Sequence, residues 1–130
     1  MSGMSAENKL IARKLYEEVW NKRNFALLDE IMHQDHVNHN ASAPQMGTGP
    51  EAYANLVKLY SGALDTQFTV EDQIAEDDKV VTRWKLRGRY DVDLTGVMIH
   101  RICDGKIMES WGNWDALGLM QQLKAARPQR

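Results

Sequence analysis

Cysteine is almost missing from this sequence: Cys103 stands alone among 130 residues, so no intrachain disulfide can form and a thiolate zinc site is out of reach. Long apolar runs are missing too. No window approaches the roughly 18 consecutive apolar residues that a membrane span requires, and Met1-Ser2-Gly3-Met4 leads into a polar helix rather than the apolar core of a signal peptide. There is no basic excess either. Sixteen Lys and Arg against eighteen Asp and Glu leave a formal charge of -2, which is not the balance of a chain that neutralises nucleic-acid phosphates. A glycine-rich phosphate loop and a nucleophile elbow are absent, and Cys103 has no evident activating base, so nucleotide and covalent chemistry drop out. These absences predict a soluble, cytoplasmic protein that partners neither membrane nor nucleic acid.

What is there suits a single domain over 1–130, with 1–5 and 127–130 as flexible ends. Leu10, Ile11, Leu15, Tyr16, Val19 and Trp20 make an apolar stripe at helical spacing over residues 6–22. Asn21-Lys22-Arg23-Asn24 breaks it, and Leu27, Leu28, Ile31 and Met32 predict a shorter second helix. Asp35 to Gly49 reads as a short extended piece and a loop. Thr48-Gly49-Pro50-Glu51 then opens a third helix whose apolar face runs from Ala52 to Ala63 and which Gly62 helps to end. After residue 65 the period changes from 3.6 to 2. Phe68, Val70 and Ile74 alternate with polar residues, and Val80, Thr82, Trp84, Leu86 and Tyr90 alternate with Arg83, Lys85, Arg87 and Arg89. Two more strands, about 94–103 and 106–113, meet at Asp104-Gly105, where the glycine suits the positive φ of a tight hairpin. A terminal helix follows over 116–126, with Leu117, Leu119, Met120 and Leu123 apolar.

Helices followed by an antiparallel meander predict an α+β fold: a curved antiparallel sheet wrapped around the N-terminal helices, enclosing a pocket. The opposite sheet face, lined by Arg83, Lys85, Arg87 and Arg89, must be solvated or covered by a second subunit. A homodimer through that outer face is the simpler expectation.

Tyr16-Glu17-Glu18-Val19-Trp20-Asn21, Val37-Asn38-His39-Asn40, Gly49-Pro50-Glu51 and Phe68 through Glu76 resemble, in order, the SnoaL-like polyketide cyclases. So do Val80-Val81-Thr82-Arg83-Trp84, Ile99-His100-Arg101-Ile102, Asp104-Gly105-Lys106-Ile107 and Glu109-Ser110-Trp111 through Asp115 to Leu123. The resemblance spans nearly the whole chain. It implies the cone-shaped fold of nuclear transport factor 2, also called cystatin-like. The chain departs from the family between its second and third long strands, which Arg89 to Leu94 joins almost directly; a shorter, more open pocket rim is expected.

The resemblance implies that Asp115 is a catalytic acid/base, removing a proton from carbon beside a carbonyl and returning one after carbon–carbon bond formation. Trp111 and Trp114 would exclude water and raise its pKa. Aspartate before a helix is equally an N-cap, and the two readings are compatible. His100 has the strand parity of Met98 and Ile102, so it could point inward and stabilise developing enolate charge, or be a satisfied buried histidine. His39 and Asn40 resemble the family's His-Asn element at the pocket wall. Tyr16, Trp20, Tyr53, Tyr60, Trp84 and Trp111 would supply aromatic walls for a hydrophobic or aromatic small molecule. Tyr16 also stands where ketosteroid isomerases place an oxyanion tyrosine, but Asn40 replaces the base of that set. His33, His36 and His39 recur every three residues; because Val37 to Asn40 reads as extended, they diverge, and no metal is expected.

The function expected on these grounds is cofactor-free intramolecular aldol condensation of a polyketide-like ester. The alternatives are a non-catalytic small-molecule-binding cone and a hydrolase or dehydratase on the same fold. Of the Asp-Arg-Asp set of an epoxide hydrolase, only Arg101 and Asp115 offer a partial match.

Overall fold

The computed structural model describes residues 2–40 and 47–126; positions 41–46 of the extended piece and loop expected over 35–49, and the tail over 127–130, lie outside the described residues. Helix α1 (Ser2–Lys14) starts early, so residues 2–5, expected as a loose end, form its first turn. It continues as a π-helical turn, Leu15–Trp20, in which the Asn21 N–H donates to the Tyr16 carbonyl at 2.9 Å and Leu15, Tyr16, Val19 and Trp20 are buried. Leu10 is 54% exposed, contrary to the expected stripe. At 100° per residue it lies across the helix from Asn8, Ala12 and Leu15, which are buried.

The expected second helix shrinks to a 3₁₀ turn, Phe25–Leu27, and a single turn, α2 (Leu28–Ile31). Strand β1 (Met32–Asn40) follows at once and runs parallel to the last strand, β5 (Lys106–Trp114). From Met32 to Val37 it takes five steps while β5 takes two, from Ile107 to Glu109, and this bulge accompanies the burial of His36. Helix α3 (Gly49–Leu64) has Thr48 at its N-cap position and Pro50 in the first turn; Gly62 does not end it, and the stop comes at Asp65, whose φ is 50°.

Strands β2 (Gln67–Glu76), β3 (Lys79–Gly88), β4 (Val92–Cys103) and β5 form the expected antiparallel meander. With β1 added the order is β1-β5-β4-β3-β2, a curved, unclosed sheet with the helices on its inner side. Phe68 is buried as the alternation predicts, but Ile74 is 68% exposed. A bulge between Val70 and Asp72 reverses the parity of β2, turning Gln73 inward to donate to Lys9 O at 3.0 Å and Thr82 Oγ1 at 3.3 Å. Tyr90, expected on the inner face, lies exposed in the three-residue β3–β4 turn with φ 62°. Asp104 and Gly105 take φ of 51° and 78°, as the tight hairpin requires.

Two glycines of the sheet make room for the site. Gly96 faces Trp84 across β3 and β4, and a Cβ there would overlap the indole. Gly112 likewise faces Met98. At the other end, Asn21 clamps the π-helical turn to the sheet: its Nδ2 donates to Phe68 O at 2.9 Å and its Oδ1 accepts from Phe68 N at 2.7 Å. Helix α4 (Ala116–Ala125) closes the described chain, with Leu119 and Leu123 packed on the core but Leu117 and Met120 exposed.

Candidate active site

Between the helices and the concave sheet face lies an open cavity of about 600 Å³, counting the solvent space at its mouth. Helix α1 and its π-helical turn supply Tyr16 and Trp20, α3 supplies Tyr53 and Tyr60, and the sheet supplies Phe68, Trp84 and Trp114. These rings hold one another: Phe68 lies 4.8 Å from Trp20 and 4.9 Å from Trp84, centroid to centroid, and Tyr60 meets Trp114 edge-on at 6.0 Å. Aliphatic residues from α3, the sheet and α4 complete the wall. Among the described residues, no Asp, Glu, Lys or Arg lines the cavity, which suits a neutral ligand.

Its polar atoms are few. Trp20 Nε1 donates to the Tyr53 hydroxyl at 2.9 Å, and Trp114 Nε1 donates to Asn40 Oδ1 at 3.2 Å. Among the described residues, Asn38 Oδ1 and Trp84 Nε1 are buried polar atoms without a hydrogen-bond partner. The Tyr16 hydroxyl is 3.2 Å from His100 Nε2, and His100 Nδ1 is 2.6 Å from Ser110 Oγ. Burial pushes the Tyr16 hydroxyl well above its ordinary pKa, with Tyr53 adding to the rise, and also raises Tyr53 and Tyr60. It lowers His100 to about 3, with His36 contributing, and His36 to about 4 despite the opposing pull of Glu109. Both imidazoles are therefore neutral near pH 7.

Tyr16, Trp20, Asn40, Tyr53 and Trp84 come together on the cavity wall. His100 points inward with the expected parity, but it is fully buried behind Tyr16 rather than on the lining. His39 and Trp111 do not reach the cavity. They stack on each other at 5.6 Å, and His39 Nε2 meets Glu109 Oε2 at 2.7 Å. The reason is strand alternation: Asn38 and Asn40 face inward on β1, so His39 faces outward, and Trp114 rather than Trp111 has the inward parity on β5. Glu109 is held below the ordinary carboxylate range, first by the hydrogen bond from His39 and then by Arg101.

Asp115 is exposed and lies outside the lining; its Oδ1 accepts from Gly118 N at 2.8 Å and caps α4. Its neighbours Trp114 and Leu119 do line the cavity, which puts it beside the rim. Arg101 turns to Glu109, with both its Nε and Nη2 3.3 Å from Oε1, so the partial epoxide-hydrolase set is not assembled inside the pocket. Three histidines of β1 separate as the extended backbone requires: His36 is buried, while His33 and His39 are turned to Asp35 and Glu109. Among the described residues, no three His, Cys, Asp or Glu side chains gather closely enough to hold a metal ion. Asn38 and Ser110 are the functional candidates that sequence reasoning passed over; period-2 parity within 37–40 was the signal for Asn38.

The sequence model of the SnoaL-like polyketide cyclases matches residues 10–123. The chain belongs to that family. No curated protein matches the sequence. Among solved structures, it is similar to a candidate polyketide cyclase from Acidithiobacillus ferrooxidans, with a TM-score of 0.84 and 22% identity over 93% of this chain and 96% of that one. It is also similar to IdmH, a candidate polyketide cyclase from Streptomyces antibioticus, with a TM-score of 0.77 and 23% identity over 90% and 98% of the two chains. An NTF2-like protein from Cytophaga hutchinsonii shares the fold at a TM-score of 0.71 and 12% identity over 87% and 94%. At these identities the likeness is one of fold, and it agrees with the SnoaL-like α+β cone built above. No described helix is long and apolar enough to cross a membrane.

Proposed function

We propose that this SnoaL-like protein is a cofactor-free enzyme of the cyclase type, closing a ring by intramolecular aldol condensation of a neutral, flat, polyketide-like ester. One observation carries the reading: an aromatic cavity, with no charged side chain among its described lining residues, whose wall includes Tyr16, with His100 directly behind its hydroxyl. A substrate carbonyl that takes a hydrogen bond from Tyr16 develops enolate charge where a preorganised donor stabilises it, out of water. Asn38 Oδ1 and Trp84 Nε1 would pair with a hydroxyl and a second carbonyl of the same skeleton. Asp115, beside the rim, would remove and return the carbon-bound proton.

The test is deuterium incorporation at the α-carbon of aromatic and aliphatic β-keto esters, read by mass spectrometry for wild type, Tyr16→Phe and Asp115→Asn. Wild type accelerates exchange, and each variant slows it by on the order of 10²-fold or more. A wild type that accelerates none of the panel refutes the enzymatic reading.

A second reading has its own support. The Asp115 carboxylate is engaged as a helix cap and lies off the lining, leaving neutral histidines as the buried bases. On that reading the cone binds the same apolar ligand without turnover, and ligand co-purifies while exchange is absent. We further propose that the outer face of the sheet, where Arg83, Lys85, Arg87 and the half-exposed Val97 lie, is covered by a second copy of the chain; light scattering at 15 kDa rather than 30 kDa would refute it. A cytoplasmic location suits the exposed thiol of Cys103.

A further inference from the structure

Behind the cavity wall, four buried groups are strung into one chain. Tyr16 Oη is 3.2 Å from His100 Nε2, His100 Nδ1 is 2.6 Å from Ser110 Oγ, and Ser110 Oγ is 2.8 Å from His36 Nε2. None of the four is more than 2% exposed. The register builds the chain: His100 and Ser110 are paired across β4 and β5, and the β1 bulge brings His36 onto the same hydroxyl.

The hydrogen count restricts it. Ser110 has one proton to give to two ring nitrogens, and each neutral imidazole carries one N–H. If Ser110 donates to His100 Nδ1, then His100 Nε2–H donates to Tyr16, whose own proton is free for the cavity, and His36 Nε2–H donates to Ser110. If Ser110 donates to His36, then His100 Nδ1–H donates to Ser110, and Tyr16 donates to His100 Nε2, turning its lone pairs to the cavity. In both orderings the two rings are the same tautomer. Any other arrangement leaves a buried proton without an acceptor or two lone pairs facing each other, at a cost of about 1–3 kcal/mol.

We propose that Tyr16, His100, Ser110 and His36 form one proton relay, in which Ser110 locks the two imidazoles into a common tautomer and so lets His36 set whether Tyr16 donates to a ligand oxygen or accepts from it. Passing from the first ordering to the second, three protons each move one hydrogen bond toward the cavity. Tyr16 releases its outward proton to the ligand oxygen or to water, and His36 Nδ1 takes one from water, so the net charge of the chain is unchanged. His36 and Ser110 are thus positioning residues acting through Tyr16. The neutrality of both imidazoles near pH 7 supports this, since an imidazolium could not accept from Ser110. The functional part rests on the reading that the cavity holds an oxygenated ligand at Tyr16.

The test is ¹⁵N NMR of histidine-labelled protein without ligand. Wild type and Tyr16→Phe are expected to show equal tautomer populations for His36 and His100; unequal populations in either overturn the relay. In Ser110→Ala no N–H is left facing the new methyl, so His100 takes the Nε2–H form, His36 takes the Nδ1–H form, and Ser110→Thr restores agreement. Rings that still agree in Ser110→Ala also overturn it. Should Ser110→Ala not fold, wild type, Tyr16→Phe and Ser110→Thr decide the question. With ethyl benzoylacetate as probe, Ser110→Ala lowers kcat for α-deuterium exchange on the order of 10²-fold at unchanged KM, and Ser110→Thr recovers it; an unchanged kcat contradicts the relay. A wild type that exchanges nothing counts against the proposed function, and the tautomers then decide the relay alone.

Discussion

Two buried neutral histidines make this fold acid-labile in a defined window. His36 and His100 are held at about 4 and about 3 in the folded chain, against an ordinary 6.5. Both folded pKa values are depressed, so below pH 6.5 the unfolded chain binds more protons, and stability is lost as pH falls from about 6.5 toward the folded values. At pH 7 the loss is nearly nil. At pH 5 each unfolded imidazole is protonated while each folded one is not, and a gap of 1.5 pH units below 6.5 costs about 2 kcal/mol per histidine, or about 4 kcal/mol together. Urea unfolding at pH 7 and pH 5, followed by tryptophan fluorescence, measures the difference. His100→Phe and His36→Gln should each reduce the pH 7 to pH 5 difference to about 2 kcal/mol, whatever they do to absolute stability. A wild-type difference below about 1 kcal/mol would refute the claim that both rings are buried and neutral.

Gly96→Ala would place a methyl 2.6 Å from Trp84 Cη2, so the indole must leave its place on the cavity wall; a loss of about 1–3 kcal/mol in urea unfolding is expected, and an unchanged midpoint would show that the sheet yields instead. Asp115→Ala should cost about 1 kcal/mol through the lost cap to Gly118 N while Asp115→Asn costs much less, a contrast readable by thermal unfolding. Asn21→Ala removes both hydrogen bonds to Phe68 and should destabilise by about 1–3 kcal/mol; a neutral result would deny that this clamp holds the π-helical turn to the sheet.

The parts of this fold that were legible in the sequence are those governed by local periodicity. Val80, Thr82, Trp84 and Leu86 alternate inward as written, and Asp104-Gly105 turns the hairpin its positive φ permits. Legibility failed where the chain inserts residues. The bulge between Val70 and Asp72 put Ile74 in solvent, and the one between Met32 and Val37 buried His36. Neither carries a local sequence signature. The parallel pairing of β1 with β5 joins residues some 70 positions apart, which no window of periodicity can see. In the site, the aromatic walls Tyr16, Trp20, Tyr53 and Trp84 were readable because they sit on regular stripes. His39 and Trp111 were misplaced because resemblance named the segment, whereas parity decides which of its residues faces inward. Ser110 went unnoticed because a small hydroxyl becomes informative only when two imidazoles converge on it.

The central claim is that Tyr16, backed by His100, polarises a ligand carbonyl inside the cavity. Its most direct test is the infrared carbonyl stretch of ¹³C-labelled ethyl benzoylacetate bound to wild type and to Tyr16→Phe. The account predicts a keto stretch at lower frequency in wild type than in an apolar solvent, with the shift largely lost in Tyr16→Phe. A stretch identical in the two proteins, or a probe that does not bind wild type at all, would contradict it.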